Sequence, residues 1–282
     1  MSSEVTGGSS LLKQIPRLAE KTEAFAVAFY DYATDCGWTI HADRWFHAAS
    51  TIKIPVLLGV FGAIAEDRMT PNSRVHVRNR FRSVVDSEPF RVESGRDANS
   101  EVHDALGQTM NVEDLARHMI VTSSNLATNL LLEAVGLEQI QQTLRSLDVR
   151  GVELLRGVED EKAWEKGINN RVTANGLLDV CRLIAEERAF GPELSQQMLD
   201  ILHAQEFNSG IPAGLPKDAR VAHKTGEIST VAHDAGIVYL PDREPYVLVV
   251  LTQWEAGAGG RHDTIAGISR AVYEYLTEDE DA

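Results

Sequence analysis

The sequence has 282 residues, 43% of them hydrophobic and 24% charged. That balance supports a packed core without disulfide or metal staples, and it excludes disordered and collagen-like chains. Lys plus Arg number 27 and Asp plus Glu 42, a net charge of −15, so repulsion argues against nucleic acid or an anionic membrane surface as a partner.

At the N-terminus, Met1 to Gly8 carries neither a basic segment nor an apolar one, so no export signal is visible. The chain as written is expected to be cytoplasmic; a periplasmic or secreted form with its signal removed is the alternative. Residues 24–31 alternate, with Phe25, Val27 and Phe29 on one face, and read as a strand. Residues 37–42 read as its hairpin partner. Cys36 and Cys181 are far apart and form no CxxC, so both are expected to be reduced thiols. The longest apolar run, residues 54–65, is too short to span a bilayer and has the length of a buried helix over 51–66.

Helical spacing then recurs over 112–121, 125–135, 137–147, 174–188 and 193–204, with Thr173 as a cap for the fourth. Strand patterns follow at 219–226, 233–240 and 245–252, and a closing helix at about 263–276. Two stretches read as irregular, 83–110 and 156–172. The acidic run Glu278-Asp279-Glu280-Asp281 reads as a solvated tail.

Neither chain end supplies a full sheet, and short connections favour antiparallel neighbours. The expected fold is therefore α+β, a two-lobe single domain over 1–282. A five-stranded antiparallel sheet is formed by both chain ends and flanked by helices. The sheet lobe covers about 1–65 and 213–282, and an all-α lobe is inserted at about 66–212. The cleft between the lobes is the expected ligand site.

Three short motifs carry chemistry. Ser50-Thr51-Ile52-Lys53 opens the first long helix. A serine there meets the free N–H groups of a helix start, and a desolvated lysine one turn on can serve as a neutral base. Alone the motif is weak, since Ser10-Leu11-Leu12-Lys13 matches it too. Ser123-Ser124-Asn125 lies between two helices and alone is a cap. Lys224-Thr225-Gly226 lies on a late strand and offers a cation, a hydroxyl and close backbone approach. The nine histidines form neither HExxH nor a Cys/His cluster, so no metal and no cofactor is expected. A GxSxG elbow is also absent, which disfavours an α/β-hydrolase.

Taken together and in this order, the three motifs resemble those of class A β-lactamases and penicillin-binding proteins. The resemblance spans nearly the whole chain and includes Asn129 one turn after Asn125, and Gly214-Leu215-Pro216 before Lys224. It implies the β-lactamase/transpeptidase-like fold and a serine hydrolase acting on β-lactam amides through a Ser50 acyl-enzyme. A D,D-peptidase, an esterase or a lactam-binding sensor are the alternatives. The implied partner is a small-molecule substrate, and the chain is expected to be a monomer.

By the same resemblance, Ser50 is the nucleophile, Lys53 takes or relays its proton, and Ser123 passes a proton to the leaving nitrogen. Asn125 holds the substrate amide, while Lys224, Thr225 and Gly226 bind its carboxylate end. The backbone N–H groups of Ser50 and Glu227 form the oxyanion hole. The family's deacylating glutamate has no clean match. Glu159 has the familiar spacing from Asn125, Glu165 fits the local motif loosely, and Asp160 and Glu161 are neighbours. Two further departures stand out. Ser124 occupies the position where the family commonly has an acid. Glu227 and Ile228 follow the glycine where small residues are usual; the Glu227 carboxylate opposes an anionic substrate if it faces the cleft, and the alternative on a strand is that it points away. With no arginine on the last strand, Arg220 and Arg261 are the remaining candidates for substrate anion recognition.

Overall fold

The computed structural model describes residues 8–278. The acidic tail therefore lies almost entirely outside the described residues. One antiparallel sheet organises the molecule. Its strands are β1 (Ala24–Asp31), β2 (Cys36–Ile40), β3 (Arg220–Ile228), β4 (Val231–Tyr239) and β5 (Tyr246–Gln253), in the order β3-β4-β5-β1-β2. The first and last parts of the chain meet where β1 pairs with β5, Val27 standing opposite Val250.

Side-chain alternation assigns the two faces. Ala24, Ala26 and Ala28 point to the inner face with Val247, Val249 and Leu251. Val27 and Phe29 point outward with Leu248 and Val250. The outer face is covered by α1 (Gly8–Leu18) and by α8 (Arg261–Glu278), the last helix. The inner face shares one core with α2 (Lys53–Ala65) and with the later helices α3 (Val112–Val121), α4 (Asn125–Val135), α5 (Leu137–Ser146), α6 (Ala174–Ala185) and α7 (Pro192–His203). Alanines on β1 leave room for α6 to pack directly on the sheet.

Helix α2 is buried from Lys53 through Ala63. An element apolar on every side belongs inside a layer of helices. Gly59 lies so close to Ile140 of α5 that a Cβ there would come within 2.5 Å of its side chain. Helix α2 packs against α5, α4 and α6. One continuous core joins these helices to the sheet's inner face.

Three regions differ from the sequence reading. The N-terminal segment holding Ser10 and Lys13 is helical, and it buries Leu11 and Ile15 on the outer face. Burying each contributes about 1.5–3 kcal/mol. The stretch 83–110 is more ordered than expected. It starts from a small hairpin, Phe81–Arg82 with Pro89–Phe90, and a one-turn helix, Glu101–Asp104, follows. Its end, Thr109–Asn111, pairs with Arg74–His76. The stretch 156–172 contains the helix Glu161–Glu165, and Arg171–Val172 bridges Phe46–His47 and Val152–Glu153. Cys36 and Cys181 are both unpaired. Among the described residues no helix is long and apolar enough to cross a membrane.

Candidate active site

Ser50 sits in a tight 3-10 turn, Ala49–Ile52, that leads directly into α2. Its N–H is therefore among those a helix start leaves without an internal partner. The sheet edge presses on this turn. A Cβ on Gly226 of β3 would meet the Thr51 backbone nitrogen at 2.8 Å and the Ala48 oxygen at 3.1 Å. Only glycine allows that approach, which aligns Thr225 and Glu227 beside Ser50.

Lys53 is fully buried at the start of α2. Its Nζ donates to the Ser123 carbonyl at 2.6 Å, to Ser123 Oγ at 3.1 Å and to Asn125 Oδ1 at 2.8 Å. No hydrogen bond joins Lys53 to Ser50; its bonds go to the segment between α3 and α4. Burial drives the Lys53 pKa down to about 7, against the opposing pull of Asp97 and Glu159.

Asn125 links two groups. Its oxygen accepts from Lys53, and its Nδ2 donates to Glu159 Oε1 at 2.8 Å. The other Glu159 oxygen accepts from the Glu93 backbone at 3.0 Å, and Arg96 lies 3.7 Å away. The Glu159 side chain is only 8% exposed. Asp160 instead fixes the loop, accepting from Ser83 Oγ at 2.8 Å, Val84 N at 3.0 Å and Ala163 N at 3.2 Å. Glu161 pairs with Arg96 at the surface. Glu165 is exposed at the end of its helix. Of the four acids, Glu159 is the one bonded to Asn125.

The loop that presents Glu159 is held by side chains the sequence reading left unassigned. Arg156 donates to the Ile168 and Gly157 carbonyls and to Asn169 Oδ1. Asn170 accepts from the Leu155 and Arg156 N–H groups and donates back to the Arg156 carbonyl. Asn129 clasps the backbone of Val158 with both ends of its amide. Each is a buried polar group with satisfied partners.

Backbone strain accompanies the three functional segments. Ala49, Ser123 and Glu159 all have positive φ, at 45°, 59° and 63°. For residues other than glycine each such conformation costs roughly 1–3 kcal/mol and persists only where surroundings enforce it.

Lys224 is also fully buried, and its Nζ donates to the Thr225 carbonyl at 3.0 Å. Burial, with Lys53 adding repulsion, lowers its pKa well below the usual lysine range. Below it, Asp234 accepts from His223 Nδ1 at 2.9 Å and from Ile211 N at 2.8 Å. His223 also reaches Asn208, so it is a satisfied structural histidine. Glu227 is not an isolated anion. Arg261 approaches it at 3.3 Å and His262 at 2.9 Å, while Ser209 bonds the far side of the His262 ring. Arg220 lies at the other end of β3.

Ser50, Ser123, Asn125, Thr225, Gly226 and Glu227 line one cleft of about 280 Å³. A second cavity of about 740 Å³ opens from Ser50 and Asn125 past Glu159 to Trp164. Trp164 is 48% exposed there and stands edge-on to His47. Burial lowers the His47 pKa to about 4, so that ring is neutral near pH 7. Arg96, from the 83–110 stretch, borders both openings. Among the described residues no group of three or more His, Cys, Asp or Glu is placed to hold a metal ion. Sequence reasoning missed Arg96, Asp97, Ser209 and His262. No local motif marks them, because each reaches the site through a contact distant in sequence.

Residues 10–276 match the model of the β-lactamase enzyme family. The chain is similar to β-lactamase CARB-4 of Pseudomonas aeruginosa, with 22% identity over 286 residues, covering 96% of this chain and 93% of that protein. Among solved structures it is similar to a point mutant of PBP-A captured as an acyl-enzyme complex with penicillin-G. There the TM-score is 0.81 at 25% identity, with 96% and 97% of the two chains covered. A variant of the class A β-lactamase of the last common ancestor of Gram-negative bacteria gives 0.82 at 25% identity, covering 96% and 99%.

Proposed function

The chain belongs to the β-lactamase enzyme family, the serine β-lactam hydrolases, and on that premise we propose how its residues divide the reaction. The observation that carries the assignment is the convergence of Ser50, Ser123, Asn125, Thr225 and Gly226 on one cleft, with Lys53 beneath them.

Ser50 Oγ attacks the lactam carbonyl carbon, and its proton passes to neutral Lys53. The Ser50 and Glu227 N–H groups receive the oxyanion. As the tetrahedral intermediate collapses, the C–N bond breaks and the ring nitrogen takes a proton from Ser123. Lys53 refills Ser123 over the 3.1 Å contact already present. The first transfer requires the Ser50 hydroxyl to turn toward Nζ. Neutral Lys53 keeps two N–H groups for the Ser123 carbonyl and Asn125 Oδ1, which leaves its lone pair for a hydroxyl. A pKa near 7 keeps a useful share of it neutral.

Asn125 and Thr225 orient the substrate amide and carboxylate, and Lys224, buried behind the cleft with its Nζ on the Thr225 carbonyl, fixes that stretch of β3. Deacylation uses Glu159 as general base. It takes a proton from water, the hydroxide attacks the ester carbonyl, and Ser50 leaves with a returned proton. The Asn125–Glu159 hydrogen bond supports this choice over Glu165.

The test is intact mass against time with benzylpenicillin. A transient adduct with released product is expected, and Ser50→Ala gives neither. A persistent adduct in the unmodified protein would favour a binder or peptidase.

A further inference from the structure

We infer that Asp97 is a positioning residue for the proton-transfer segment, supplying from another loop the carboxylate that the Ser123-Ser124-Asn125 triplet lacks. Its side chain is 0% exposed. One oxygen accepts from the Asn125 N–H at 2.6 Å. The other accepts from Ser124 Oγ at 2.8 Å and from the Leu126 N–H at 3.3 Å. His103 stands 3.3 Å from that second oxygen.

A carboxylate at this point does two things. It meets free N–H groups at the N-terminus of the 11-residue helix α4, where negative charge is stabilised. It also fixes the backbone of Asn125, whose side chain holds both Lys53 and Glu159. Ser124 completes the arrangement. Its Oγ donates to Asp97 and accepts from the Ala127 N–H, so it caps the helix while anchored to the acid. The acid comes from 27 residues earlier in the chain, at the end of the Ser94–Arg96 turn. That explains why the irregular stretch must be ordered: its neighbour Arg96 faces Glu159 as Asp97 faces Asn125.

The charge matters beyond the hydrogen bonds. Asp97 and Glu159 oppose the burial that neutralises Lys53, while Lys224 faces Lys53 as a like charge. His103 faces Asp97 itself, and Arg96 faces Glu159. Loss of the Asp97 charge alone leaves Glu159 as the remaining opposing carboxylate, so Lys53 titrates lower.

The inference rests on the proposed roles of Lys53 and Asn125, and two readouts keep the claims separable. The first is the rate of benzylpenicillin acylation by intact mass. The second is the Lys53 ¹³Cε titration by NMR, which needs no substrate. Asp97→Asn cannot accept from all three donors. It is expected to slow acylation about tenfold or more and to move the Lys53 midpoint down. Moving the acid, in the double variant Asp97→Ser with Ser124→Asp, is expected to restore the rate to within about threefold and return the midpoint toward the original. A purely structural role would not shift the Lys53 midpoint. An unchanged rate and midpoint in folded Asp97→Asn overturns the inference, as does a folded double variant no faster than the single one. If Asp97→Asn does not fold, a double variant that folds supports the inference and one that also fails contradicts it. If the unmodified protein forms no adduct, the proposed function fails while the NMR arm still decides the role of Asp97.

Discussion

Asn125 donates its side-chain N–H to Glu159 across 2.8 Å, joining residues 34 apart in sequence. The same amide accepts from Lys53 on its other side, so one side chain connects the acylation base to the acid assigned to deacylation.

Glu159→Gln should therefore separate the two half-reactions. Removing a general base costs typically 10²–10⁴-fold. Acylation should persist while hydrolysis of the ester slows by about 100-fold or more, and the penicilloyl adduct should accumulate. Glu165→Gln should turn over as the unmodified protein does, since its side chain is exposed and apart from Asn125. Stopped-flow turnover paired with intact mass reads both.

The pH dependence of acylation should follow Lys53. The active form is neutral, so the rate rises as pH climbs through about 7. For stability, the folded pKa lies below the unfolded lysine value. Between about 7 and the ordinary lysine range, the unfolded state binds more protons. This group therefore contributes stability that increases with pH across that window, and the contribution is absent in Lys53→Met. Denaturant unfolding at several pH values checks the sign.

Gly226→Ala should impair folding and activity together. The new Cβ would lie 2.8 Å from the Thr51 backbone nitrogen and 3.0 Å from Thr51 Cγ2. Overpacking of this kind costs typically 1–3 kcal/mol, and relief would push β3 away from Ser50. A lower Tm and at least tenfold slower acylation are expected.

Glu227→Ala tests the charge at the cleft rim. Its carboxylate is 42% exposed and is offset by the half-exposed His262 and by Arg261, which is 19% exposed. Removal frees Arg261 to face an anionic substrate. KM for benzylpenicillin should fall by a few-fold with kcat little changed, since exposed pairs contribute about 0–1 kcal/mol. A rise in KM would mean that Glu227 itself holds substrate.

Much of this arrangement was legible in the sequence because it is local. Ser50 and Lys53 share a helix start, Ser123 and Asn125 share a turn, and Lys224 to Gly226 are consecutive on a strand. The alternation of Phe25, Val27 and Phe29 identified β1, and the apolar length of 54–65 identified α2. Asp97 was not legible, because its partners lie 27–29 residues away and no periodicity marks a single buried acid. Nor was Arg156, whose charge suggests a surface until its three backbone and amide acceptors are seen. Helix α1 anchors through Leu11, Ile15 and the partly buried Leu18 and carries Pro16, so its burial depends on the sheet it covers. The choice among Glu159, Asp160, Glu161 and Glu165 needed the loop's three-dimensional path, which Asn129, Arg156 and Asn170 determine.

The central claim is an acyl-enzyme formed on Ser50 and cleared through Glu159. The most direct measurement is a time course of intact mass with benzylpenicillin for the unmodified protein, Ser50→Ala and Glu159→Gln. A transient penicilloyl adduct is expected in the first, none in the second and a lasting one in the third. An adduct that still forms on Ser50→Ala, or one that clears from Glu159→Gln at the unmodified rate, would contradict it.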